Sequence, residues 1–215
     1  MVRAERLSGT TSASLVVFVT AAWVVTVTSP AAMDSSVAGF LALWTAMMVA
    51  MMLPSAAPLV LLYRQSATGL HTAALTSGYL LVWAAIGTVA YAYMQSKIMI
   101  PTWTVLGAAG LYQVTPLKAA CLRRCRTPAD FLILRWGRSP LTLGLEHGAW
   151  CAGCCWALMV VLVIAGSMGL GWVVALAAVV LLEKLAPYGD VIARTAGLVL
   201  IVLAVTEGVS GWPGI

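Results

Sequence analysis

The chain has 215 residues, of which 62% are hydrophobic and only 9% charged, with 12 lysines and arginines against 7 aspartates and glutamates. A mean hydropathy of +0.99 excludes an ordinary soluble domain. Its charges cluster between apolar runs, the pattern of helices that satisfy their own backbone across a hydrocarbon layer of about 30 Å. The net charge of +5 calls for no nucleic acid, because anionic lipid headgroups meet a basic face.

The expected fold class is therefore all-α, a polytopic transmembrane helix bundle of about seven spans, or six if one segment is re-entrant. The spans fall near 13–29, 38–62, 74–95, 101–117, 148–166, 170–185 and 194–210. The first follows MVRAERL, a basic start that resembles a signal peptide, and TSPAAMDSS behind it offers small residues for cleavage. Trp23 and the further spans fit an uncleaved first helix better. The second span carries WTAMMVAMMLPSAAP, in which Met47, Met48, Met51 and Met52 cover an arc of about 140° near mid-membrane. Thioethers can pass Cu(I) along a path, with Met33 as an outer station, and methionine is equally an adaptable core filler. Pro54 is expected to kink the helix just beyond them and free a backbone carbonyl.

The fourth span opens at Pro101 and is short, ending in the polar YQVTPLK. Tyr112, Gln113, Thr115 and Lys118 there are costly at a buried helix end unless they are used. Residues 118–147 form the one sizeable non-apolar connection within a single integral membrane domain, 1–215. Pro128 and Pro140 frame FLILRW, whose mixed apolar and basic residues predict a short interfacial helix on the cytoplasmic side.

The fifth span contains CAGCCWALM. At about 100° per residue, His147, Cys151, Cys154 and Cys155 share an arc of roughly 100° at one level. Cys121 and Cys125 share a face too if the fourth helix continues through them. Thiols and imidazole select soft or borderline ions, Cu(I) first and zinc second. The other reading of these cysteines is close helix packing by small buried groups. A disulfide framework does not suit a reducing cytoplasmic face or an odd count of five.

Three acidic positions accompany the spans. Glu146 lies off the ligand arc and is placed to orient His147 or to favour its own helix start. Glu183 and Lys184 close the sixth span as a membrane-edge pair, with Arg194 as another partner. Glu207 lies near the exit of the seventh. Glu5, Asp34, His71, Asp130 and Asp190 read as surface loop residues.

Charge asymmetry orients the bundle. With the N-terminus inside, every basic residue except Lys97 falls on the inner face, as the positive-inside rule requires. The expected location is the bacterial cytoplasmic membrane, multi-pass, with the C-terminus outside.

The runs GAAGLYQVTPLKAACLRRCRTP, GLEHGAWCAGCCWALM, WTAMMVAMMLPSAAP and EKLAP together resemble a bacterial family of predicted metal-binding integral membrane proteins, long carried as a domain of unknown function. The resemblance spans about residues 38–190. Its pattern falls without departure on Tyr112, Gln113, Thr115, Pro116, Lys118, Cys121, Cys125, Cys151, Cys154, Cys155, Trp156, Met159, Glu183 and Lys184. It implies metal binding and no particular substrate or reaction.

Three functions follow as expectations. The first is a soft-metal protein for transport or homeostasis, with the cysteines and His147 as ligands and the methionines as path. The second is a metal-holding subunit or assembly factor of a redox enzyme, which needs a membrane or soluble metal-protein partner. The third is a structural scaffold without metal. No nucleophile–base pair emerges for an enzyme acting alone.

Overall fold

The computed structural model describes residues 2–29, 36–96, 98–164 and 169–210, with the side chains of 2–8 and 210 left out. Met33, Asp34 and Lys97, and the side chains of Arg3, Glu5 and Arg6, lie outside what is described. Among the described residues every regular element is an α-helix. In chain order they are α1 (Val2–Thr28), α2 (Val37–Ser66), α3 (Gly69–Gln95), α4 (Thr102–Gln113) and α5 (Pro116–Arg126), then α6 (Pro128–Leu134), α7 (Pro140–Ile164), α8 (Leu170–Leu185) and α9 (Gly189–Ser210).

Five of these hold a stretch long and apolar enough to cross a membrane: Gly9–Thr28, Val37–Ser66, Gly69–Gln95, Pro140–Ile164 and Gly189–Val209. The fourth and sixth expected spans are shorter helices, of 12 and 16 residues. The fourth does not continue through the cysteines. It stops because Pro116 lacks an N–H and disfavours helical backbone at the residue before it. The chain turns at Val114 and Thr115, and the Thr115 hydroxyl accepts the Lys118 N–H to start α5 afresh. Starts elsewhere follow similar rules. Ser36 accepts the Gly39 N–H at the head of α2, and Ser139 accepts the Thr142 N–H at the head of α7. Pro128 opens α6, where a missing N–H costs nothing. Asp130 and Asp190 sit in first helical turns, where carboxylates suit the helix dipole, and His71 opens α3; the expectation of loop positions is corrected.

The helices gather into two compact units. The first comprises Met1–Ala92 and Thr127–Trp150, the second Tyr93–Arg126 and Cys151–Ile215. In the first, Leu59, Val60, Tyr63, Leu75, Phe131, Leu132 and Leu143 form one buried cluster, and Ala22, Val49, Ala50 and Leu53 another. The Trp44 indole donates to the Trp83 carbonyl at 2.8 Å, fixing α2 on α3. Close approach of α3 and α7 depends on missing side chains: a Cβ on Gly144 would run into the Leu75 carbonyl, and one on Gly78 into the Leu141 carbonyl. This is the small-residue packing that lets helices touch where lipid offers no hydrophobic drive.

In the second unit α4 lies along α9, α8 packs on α9, and α5 packs on α8. Gly110 and Gly197 make the first contact possible, because a Cβ on Gly197 would lie 2.8 Å from the Gly110 carbonyl.

Candidate functional site

The second unit encloses a set of polar side chains that an apolar bundle would otherwise exclude. Lys118 on α5 and Glu183 on α8 form an ion pair with Nζ and Oε2 2.6 Å apart, both side chains 1% exposed. Lys118 also donates to the Cys154 carbonyl. Gln113, at the end of α4, donates from Nε2 to the other Glu183 oxygen at 2.7 Å. Arg126, the last residue of α5, donates to the Ala186 and Pro187 carbonyls at 2.6 and 3.0 Å, just past the end of α8. Two ions removed from water cost several kcal/mol each, and only mutual pairing with full hydrogen bonding offsets that. One carboxylate therefore ties α4, α5 and α8 together.

The thiols lie on α5 and α7 in the same unit. Cys125 and Cys154 approach to 3.7 Å between sulfurs. Cys154 and Cys155 donate back to the Cys151 carbonyl at 3.1 and 2.9 Å. Lys184 donates to the Cys151 sulfur at 2.8 Å. The Cys121 sulfur lies against Gly153, where a Cβ would come within 3.0 Å of it. Tyr112 donates to the Gly153 carbonyl, and its ring meets Trp156 edge-on at 5.0 Å. All five cysteines are buried, and none forms a disulfide among the described residues.

Among the described residues, no group of three or more His, Cys, Asp or Glu side chains is arranged to hold a metal ion. This overturns the expected soft-metal centre on Cys121, Cys125, Cys151, Cys154, Cys155 and His147, with Cu(I) or zinc as cofactor, and with it the transport reading built on that cluster. The physical reason is visible in the partners. Two thiols are turned to their own helix backbone, and an ammonium group occupies the approach to Cys151, where it would repel a cation. His147 belongs to the first unit, with its ring 5.9 Å from Tyr79 and 5.3 Å from Phe131.

Other expectations also shift. Glu183 and Lys184 do not form a membrane-edge pair: both are buried, one bound to Lys118 and the other to Cys151. Glu146 holds Arg135 and Arg138, at 2.5 and 3.0 Å, in the first unit. Met47, Met48, Met51 and Met52 are at most 1% exposed and fill the first unit's core. The Met52 carbonyl, one of those near Pro54, accepts from Ser55 and Tyr79 hydroxyls. Glu207 is buried.

Three of the four sequence blocks singled out above contribute residues to this constellation, and the methionine run does not. A family model described as PpoB2, copper chaperone, matches residues 41–206, most of the chain. The chain belongs to that family. The PpoB2 family thus carries a functional description, where the resemblance read from the sequence supplied a domain without one. No curated protein and no solved structure matches the chain. In this PpoB2 member, sequence reading missed the partnership of Lys118 with Glu183 and the grip of Arg126 on the turn after α8. A lysine and a glutamate in apolar surroundings do need partners, but the adjacent Lys184 offered Glu183 a nearer one in the sequence.

Proposed function

We propose that the chain is a membrane-embedded assembly factor that serves the copper loading of a partner redox enzyme, with copper as the partner's cofactor rather than a resident ion here. The family description, copper chaperone, carries this reading. The side-chain chemistry supports it over transport, because the buried groups are committed to one another: ammonium to carboxylate, ammonium to sulfur, thiol to carbonyl. Such a network fixes helices at set distances, as a surface presented to another protein requires.

We further propose a bacterial cytoplasmic membrane location with the N-terminus inside and the C-terminus outside. Basic Arg123, Arg124, Arg126, Arg135 and Arg138 favour an inner position for the segment between α5 and α7. That position requires α4 with α5, and also α8, to cross. The contact of Lys184 with Cys151 supports α8 running back along α7, since the two helices are joined at their far ends. A 16-residue helix is roughly 24 Å long, short of the hydrocarbon thickness but compatible with a crossing whose inner end is a buried ion pair.

The test is a deletion strain. The copper content and activity of its copper-dependent membrane oxidases should fall while total cellular copper stays unchanged, and the wild-type gene should restore both. Altered cellular copper with fully loaded oxidases would reject the assembly role.

A further inference from the structure

Beside the Gln113–Glu183–Lys118 network lies a cavity of about 250 Å³ whose polar lining is Gln113, Thr115, Lys118, Arg123, Asp190 and Arg194. We propose that it binds the phosphodiester headgroup of an anionic glycerophospholipid that carries a free hydroxyl. At about 30 Å³ per water, the space exceeds what one or two bridging waters fill.

Three observations define the occupant. Gln113 is 2% exposed, and its Nε2 is assigned by the bond to Glu183, because a carboxylate only accepts. The Gln113 Oε1 is therefore a buried acceptor, and it has no hydrogen-bond partner among the described residues. A ligand hydroxyl supplies the missing donor. Two exposed residues of the lining carry guanidinium groups, Arg123 on α5 and Arg194 on α9, with Asp190 one turn before Arg194. Lys118 and Glu183 cancel each other, so the lining keeps one net positive charge, which equals the single negative charge of a phosphodiester. Guanidinium groups suit phosphate oxygens in bidentate geometry. A zwitterionic ethanolamine headgroup would leave the positive charge uncompensated, and a phosphate monoester would overcompensate it. The remaining walls are apolar, as an acyl-linked ligand needs.

The experiment uses the full chain in nanodiscs of equal phosphatidylglycerol, phosphatidylethanolamine and phosphatidylcholine, with bound lipid counted by native mass spectrometry. Phosphatidylglycerol should be retained about tenfold over the other two, and Arg194→Gln should abolish most of that preference, a change expected for loss of one charge-assisted pair. Arg194 makes no hydrogen bond or ion pair among the described residues, so the variant should fold. Arg124→Gln, the same charge lost on α5 from a residue outside the cavity, should keep the preference. Inorganic phosphate and glycerol phosphate, added at millimolar concentration, should not displace the lipid. Equal retention of all three lipids, equal loss in Arg124→Gln, or displacement by free phosphate would each overturn the proposal.

Discussion

Lys118 and Glu183 are each only 1% exposed, so the worth of each depends on the other being present. Lys118→Met should destabilise the protein by about 3–5 kcal/mol, because it leaves the Glu183 carboxylate buried without its counter-charge. The double variant Lys118→Met, Glu183→Leu should recover most of that loss, since two apolar groups of similar volume remove the uncompensated charge. Thermal unfolding of the three proteins in one detergent checks the pattern, and equal losses in the single and double variants would contradict it. Cys125 and Cys154, with sulfurs 3.7 Å apart, should be the first pair cross-linked by the thiol oxidant diamide. Peptide mass mapping that found Cys151 with Cys155 instead would contradict the arrangement. In the sequence, Lys118 was legible as a costly polar group, and the five thiols as a crowd. Their partners were not, because 65 residues separate Lys118 from Glu183 and helical azimuth says nothing about contacts across helices.

Helix boundaries follow from short local signals, and helix contacts follow from glycines. Gly144→Ala would drive a methyl group into the Leu75 backbone, which cannot rotate away as a side chain could. The expected cost is about 1–3 kcal/mol, the range for overpacking a close contact. Gly171→Ala, with open space at its Cβ position, should change stability by less than about 0.5 kcal/mol. Equal unfolding temperatures for the two variants would contradict the close contact of α3 with α7. The long apolar helices were legible from run length alone. The break at Val114–Thr115 was signalled by Pro116, yet the expected fourth span ran through it to residue 117. α7 starts at Pro140, earlier than the expected 148, because polar Glu146 and His147 lie within the helix and do not mark its edge.

At the scale of the molecule, topology is the property that basic residues decide and helix lengths leave open. A reporter fused after Arg126 should be active only in its cytoplasmic form, and one fused after Ile215 only in its external form. Both reporters on the same side would contradict the proposed crossing by α7, α8 and α9. All-α character and the apolar helices could be read from composition, whereas the use of the cysteines could not. Thiols at metal-like spacing and thiols in a packed hydrogen-bonded network have one and the same sequence. Only the positions of Lys184, Gly153 and the Cys151 carbonyl separate the two. The most direct measurement is elemental analysis of the purified full chain beside Cys151→Ser. The network accounts for the thiols without a resident ion, so copper and zinc should both lie far below one equivalent per chain in each protein. One equivalent of copper in the wild type, lost in Cys151→Ser, would contradict it.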